Sequence, residues 1–239
     1  MVSTSKAPAR IAGMFDSIAH RYDRLNHLLS VGLDKRWRAR AVRELALTGR
    51  ENVLDMCTGT ADLAVEAMTS TAGRARRVVG VDFAGEMLRL GLAKVRAAGL
   101  ADRIHLVRGD ATRVPLPDAR FDAAMVAFGI RNVLDPALAI REFARVVTPG
   151  GQLAVLEFGF PRIPGIKTAY RWYFKWLLPR VGRLISKHGE AYSYLPASVE
   201  QFPSPEAFAA LLTQNGFATV RTVPLTAGIV YLYVATKAR

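Results

Sequence analysis

The sequence has a single cysteine, Cys57, in 239 residues. One thiol excludes an internal disulfide framework and a cysteine metal cluster, and it agrees with a reducing compartment. No uninterrupted apolar run reaches about 20 residues, the length a membrane-spanning helix needs. The opening "MVSTSKAPAR" lacks the apolar core of a secretory leader. His20, His27, His105 and His188 are scattered without a ligand spacing, so no metal is expected. Repeats and low-complexity tracts are missing as well. Acids are few: 20 Asp and Glu stand against 33 Lys and Arg, a net charge of +13. That surplus suits an anionic neighbour, and it suits equally well an Arg-rich solvated surface.

What is present is ample apolar material, 51% of the chain, enough for one large α/β domain. The first 50 residues read as helices and carry 10 basic and 4 acidic side chains. From residue 51 strands and helices alternate. "NVLDM", "RRVVGVDF", "IHLVRGD", "FDAAMVAFG" and "GQLAVLEFG" read as strands, with helices at 60–69, 85–98 and 135–147. This alternation predicts a doubly wound, mostly parallel sheet. After a helix at 204–215, "FATVRTVPL" and "GIVYLYVATK" are separated by a short turn. They predict an antiparallel hairpin at the sheet edge and bring the total to seven strands. The stretch 161–189 interrupts the pattern with seven basic residues, five aromatics and no acid. The chain therefore divides into an N-terminal helical cap (1–50), an α/β core (51–160), a basic aromatic lid (161–195) and a segment completing the sheet (196–239).

Asp55, Asp82 and Asp110 fall at or just after the ends of the first three strands, 27 and 28 residues apart. In a parallel sheet such positions share one edge, beside the turn at Gly59. An acid after the second strand suits two ribose hydroxyls, and one after the third suits an adenine amine. Asp55 suits a cationic amine, directly or through water. A pyrophosphate turn wants more glycines than "LDMCTGTADLA" supplies. The pattern points to an adenosine ligand without phosphate, S-adenosylmethionine.

"VLDMCTGTADLA", "VVGVDFAGEMLRLG", "GDATRVPLPDARFD" and "REFARVVTPGGQLAVLEF" resemble the successive motifs of class I S-adenosylmethionine-dependent methyltransferases. "MFDSIAHRYDRLNHLLSVGLDKRWR", "FGIRNV", "YSYLPASVEQFPSPEAF" and "LTAGIVYLYVATK" are similar to the family that C-methylates quinol precursors of menaquinone and ubiquinone. The resemblance spans residues 14–237. It places cofactor contacts at Gly59, Thr60, Asp82, Asp110 and Ala111. Ala61 stands where many members have glycine, and it is expected inside the first turn of the following helix. "GTAD" is nearer the menaquinone-type members. The acceptor implied is demethylmenaquinol, with a methoxy-polyprenyl benzoquinol as a second one.

Methyl transfer to an aromatic carbon requires ionisation of a ring hydroxyl. Arg131 and Asn132 of "FGIRNV" follow the fourth strand and are the candidate catalytic residues, Arg131 as an electrostatic aid because it stays protonated. His188 and Tyr192 in the lid, and Tyr22 and Asp23 in "RYDRLN", are secondary candidates. Lys167, Arg171 and Lys175 form a basic stripe beside aromatics, which suits an anionic lipid surface. Gly165, Gly182 and Gly189 are candidate hinges. The implied location is cytoplasmic, at the inner face of the membrane that holds a prenylated quinol; no nucleic-acid partner is expected and a homodimer is left open. An NAD oxidoreductase lacks support in the missing turn glycines. RNA-base methylation lacks an N-P-P-[YF] motif after the fourth strand. A non-catalytic adenosine-binding module would keep the three acids and lose the substrate end, which here looks intact. Methyl transfer to oxygen or nitrogen of another small molecule is the nearest rival.

Overall fold

The computed structural model describes residues 6–71, 73–172 and 189–239. Two helices come first, α1 (Pro8–Leu29) and α2 (Leu33–Glu44). Proline at the first position of α1 loses nothing, since its missing N–H would have had no helical partner. Seven strands form one sheet: β1 (Asn52–Met56), β2 (Arg77–Asp82), β3 (Ile104–Arg108), β4 (Phe121–Ala127), β5 (Val147–Phe158), β6 (Phe217–Leu225) and β7 (Val230–Lys237). Their order is β3-β2-β1-β4-β5-β7-β6. Neighbours from β3 through β5 run parallel, and β7 is antiparallel to both β5 and β6. The expected seven-stranded, mostly parallel sheet with an antiparallel C-terminal hairpin is borne out.

Helices α3 (Asp62–Thr69), α4 (Gly85–Ala97), α5 (Pro136–Val146), α6 (Pro164–Trp172), α7 (Gly189–Gln201) and α8 (Pro205–Gln214) complete the described elements. Asp135 and Ser204 cap α5 and α8 by accepting the N–H of Leu138 and Ala207, each followed by proline. Strand alternation sorts the core into two layers. Leu54, Ala124, Val126, Leu153 and Val155 meet Ile140 and Phe143 of α5 and Phe208 of α8. Val53, Ala123, Met125, Ala154 and Leu156 meet α2, α3 and α4 through Trp37, Val42, Leu63, Ala67 and Val95.

α5 runs into β5 without a loop, so the strand starts at Val147 and not at Gly151. β-Branched Val147 and Thr148 favour extension, and Phe121 pairs with Val147 before the register shifts. Strand order reverses between β1 and β4, which opens a crevice at the C-terminal edge of the sheet. α1 lies across part of that edge, packing Phe15, Ala19 and Tyr22 on Ala84, Met87 and Leu90.

Candidate active site

The turn after β1 is held in an unusual backbone. Cys57, Gly59 and Ala61 all have positive φ, at 54°, 55° and 66°. Glycine takes this conformation freely, whereas alanine and cysteine are strained in it. The expectation that Ala61 lies within a helix is corrected here: it precedes α3, which begins at Asp62. The turn is fixed by Asp82, whose carboxylate accepts the N–H of Gly59 at 2.8 Å and of Ala84 at 2.9 Å. Burial pushes the Asp82 carboxyl up, with the backbone donors opposing. Asp55 lies fully inside, accepts the Thr58 hydroxyl at 2.5 Å, and is pushed up to about 7 by burial.

Thr60 is not free-standing. Its hydroxyl donates to Asp23 Oδ1 at 2.6 Å, and Lys94 Nζ donates to Thr60 Oγ1 at 3.0 Å and to Asp23 Oδ2 at 2.7 Å. Lys94 also pairs with Asp62, which pairs with Arg38 at 3.2 Å. Asp23 of α1 is thus clamped onto the turn, and nothing in the sequence pattern marked Lys94.

Two cavities flank the turn after β4. One, of about 310 Å³, is lined by Cys57, Phe83, Asp110, Ala111, Asn132 and Leu134 among others. Lys6 also lines it, its ammonium held below the usual range by burial and by Arg131. Asp110 Oδ1 accepts the N–H and hydroxyl of Thr112, both at 2.8 Å, which leaves Oδ2 for a ligand. Asn132 Oδ1 is buried with no hydrogen-bond partner among the described residues. A buried acceptor without a donor is costly, and here it borders a cavity.

The second cavity, also about 310 Å³, is largely aromatic and aliphatic. Tyr22, Leu25 and Leu29 of α1, Trp37 of α2, Phe128, Arg131, Phe158, Tyr170 of α6 and Tyr194 of α7 contribute to its wall. Arg131 and Asn132 are consecutive in the 3-10 turn Ile130–Asn132, yet they serve different cavities. Arg131 is 5% exposed and Glu157 0%. Arg131 Nη1 donates to Glu157 Oε1 at 2.9 Å and to the Phe128 carbonyl, and Nε donates to Ser198 Oγ at 3.3 Å. Its guanidinium lies 5.5 Å from the Phe158 ring centroid. Sequence reasoning missed Glu157, although a lone acid in "LAVLEFG", a buried strand, was a readable signal.

The approach of the two turns depends on Gly129. A Cβ there would fall inside the van der Waals shell of Cys57 Cβ. Burial raises the phenol of Tyr22, with Arg131 opposing, and raises that of Tyr194, so both stay protonated donors near neutrality. His188, Lys175 and Gly182 lie outside the described residues, as do the side chains of Lys167, Arg171 and Tyr192.

Residues 3–237 match the family model described as the ubiE/COQ5 methyltransferase family. The chain belongs to that family. It is 44% identical over 237 residues, 99% of this chain and 100% of the relative, to the ubiquinone/menaquinone biosynthesis C-methyltransferase UbiE of Geobacter sp. strain M21. It is 46% identical over 225 residues, 94% and 100% respectively, to the demethylmenaquinone methyltransferase of Thermus thermophilus. A SAM-dependent methyltransferase of Thermotoga maritima superposes with a TM-score of 0.64 at 19% identity, covering 94% of this chain and 98% of that one. That likeness shows the class I methyltransferase fold. The family read from the motifs is borne out, and with it a C-methyltransferase whose methyl donor is S-adenosylmethionine.

Proposed function

We propose that the protein methylates a ring carbon of demethylmenaquinol to give menaquinol. One observation carries this reading: an aromatic-walled cavity and a polar-edged cavity adjoin at Arg131 and Asn132, consecutive residues with one in each wall. The residues of the polar-edged cavity fit S-adenosylmethionine. Among the described residues Asn132 Oδ1 and Asp110 Oδ2 are acceptors without donors, suited to amine and hydroxyl groups, between the apolar walls of Phe83, Ala111 and Leu134. Asp82, whose backbone partners use one lone pair on each oxygen, keeps capacity for ribose hydroxyls. Gly59 and Thr60 shape the turn for the methionine end.

Bound there, S-adenosylmethionine supplies an already activated methyl group on its sulfonium. The chain's own work is to hold the quinol ring and favour its ionised hydroxyl. Phe128, Phe158 and Trp37 give the ring flat apolar surfaces. Arg131 keeps its proton and stabilises the ring oxyanion, while Glu157 fixes its position. Tyr22 lines the same cavity and supplies a phenol donor to that oxygen.

The substrate's prenyl tail places the reaction at the inner face of the membrane. No helix among the described residues is long and apolar enough to cross a membrane. The test is transfer of labelled methyl from S-adenosylmethionine to demethylmenaquinol or to 2-methoxy-6-polyprenyl benzoquinol, in detergent under reducing conditions. Label in the naphthoquinol alone is expected. Label in both makes it a shared pathway enzyme, and label in neither refutes the substrate reading.

A further inference from the structure

The turn that joins α1 to α2 presents apolar side chains to solvent at the mouth of the aromatic cavity. Val31 is 86% exposed and Leu28 58%. Val31 also lines the cavity, so it stands on the rim. Its φ of 52° is a conformation that β-branched residues rarely hold, and no burial among the described residues accounts for it. Arg24, Lys35 and Arg36 are exposed around this tip. The one acid between Arg24 and Arg43, Asp34, is buried and bound by His27 and Arg38, both at 2.6 Å. Leu29 packs in the cluster of Tyr170, and Trp172, two residues beyond Tyr170, is 61% exposed. Apolar residues inside a collar of unopposed cations match the cross-section of an anionic bilayer, with acyl chains below charged headgroups.

We infer that the α1–α2 turn is a membrane-docking tip, with Leu28 and Val31 among the acyl chains and Arg24, Lys35 and Arg36 on anionic headgroups. The inference rests on the prenylated-quinol reading for its purpose. A cavity of about 310 Å³ takes the ring and the head of the tail, and the remainder must leave over the rim. Docking at that rim lets the tail stay in lipid while the ring enters the protein.

The experiment is flotation with vesicles of equal parts phosphatidylglycerol and phosphatidylcholine, alongside methyl transfer to a short-chain quinol in solution. Leu28→Asp is expected to lower partitioning at least tenfold. Lys35→Gln with Arg36→Gln should lower it about fivefold for each charge removed, the equivalent of about 1 kcal/mol each. Both variants keep short-chain activity, since Leu28, Lys35 and Arg36 line neither cavity. Partitioning unchanged in both variants, or equal on pure phosphatidylcholine, overturns the docking tip. A solution dimer that Leu28→Asp separates also overturns it, because a second copy then covers the patch. Failure of the unaltered protein to methylate the short-chain quinol refutes the substrate reading and leaves partitioning as an independent readout.

Discussion

Ala61 carries a left-handed backbone with its methyl group 0% exposed. Replacing it by glycine relieves strain of about 1 kcal/mol and loses a buried methyl of about 0.8 kcal/mol. Ala61→Gly is therefore expected to shift stability by under about 0.5 kcal/mol in urea unfolding, because the two effects oppose. Ala61→Val adds β-branching to the same φ and is expected to cost more than about 2 kcal/mol. At the neighbouring cavity, Glu157→Gln leaves Arg131 buried without its counter-charge, at an expected cost of about 3–5 kcal/mol. Arg131→Lys keeps the charge and loses the fork that holds Phe128, Glu157 and Ser198. It should lower kcat at least tenfold (order of magnitude) with the KM for S-adenosylmethionine unchanged. Asp55 gives a pH prediction. Its carboxyl is pushed up to about 7 from the ordinary 3.8 by burial. The folded chain therefore binds a proton that the unfolded chain has released, and stability falls as pH rises from about 4 to about 7. The loss is on the order of 4 kcal/mol, and Asp55→Asn should flatten that part of the stability profile measured by urea titration at several pH values.

At the scale of elements, α1 matters most. It contributes Tyr22, Leu25 and Leu29 to the aromatic cavity, and its Asp23 is tied to Thr60 and Lys94. Asp16 accepts the N–H of Glu86 at 2.8 Å, so the helix is fastened at a second point on α4. Asp23→Asn or Lys94→Met should free the middle of α1 while leaving the sheet intact. The expected sign is amide exchange in α1 faster by roughly an order of magnitude, with KM for S-adenosylmethionine raised more than kcat is lowered. Unchanged exchange would show that the apolar packing of Phe15 and Tyr22, with the Asp16 bond to Glu86, holds the helix without the clamp. The sequence marked this segment as helical and named Tyr22 and Asp23. It did not reveal the clamp, because Lys94 lies on α4, 71 residues from Asp23.

The whole molecule is organised by one sheet covered on both faces, so its two core layers share every central strand. A shared sheet gives no seam along which half the fold could open. Unfolding of the α/β core should appear as one transition, with coincident far-ultraviolet dichroism and tryptophan fluorescence. S-Adenosylmethionine at 100 times its Kd should add about 2.7 kcal/mol, read as a shift of that transition. Two separated transitions would place α1 and α2 outside the cooperative unit, in spite of Trp37 and Val42 in the core.

The sequence by itself determined the alternation of strand and helix, the acids at strand ends and the family motifs. These are local or periodic features, set by side-chain spacing along a strand or helix. Asp55, Asp82 and Asp110 were legible because one βα unit separates each from the next. Only the tertiary structure decided which of neighbouring residues faces which cavity. Arg131 and Asn132 diverge because a 3-10 turn sends successive side chains about a third of a turn apart. Ala61 holds its positive φ in a turn that Asp82, 21 positions away, ties down through the N–H of Gly59. The Glu157 partnership and the Lys94 clamp join residues distant in sequence, and such pairings exist only once the sheet has brought strand ends together.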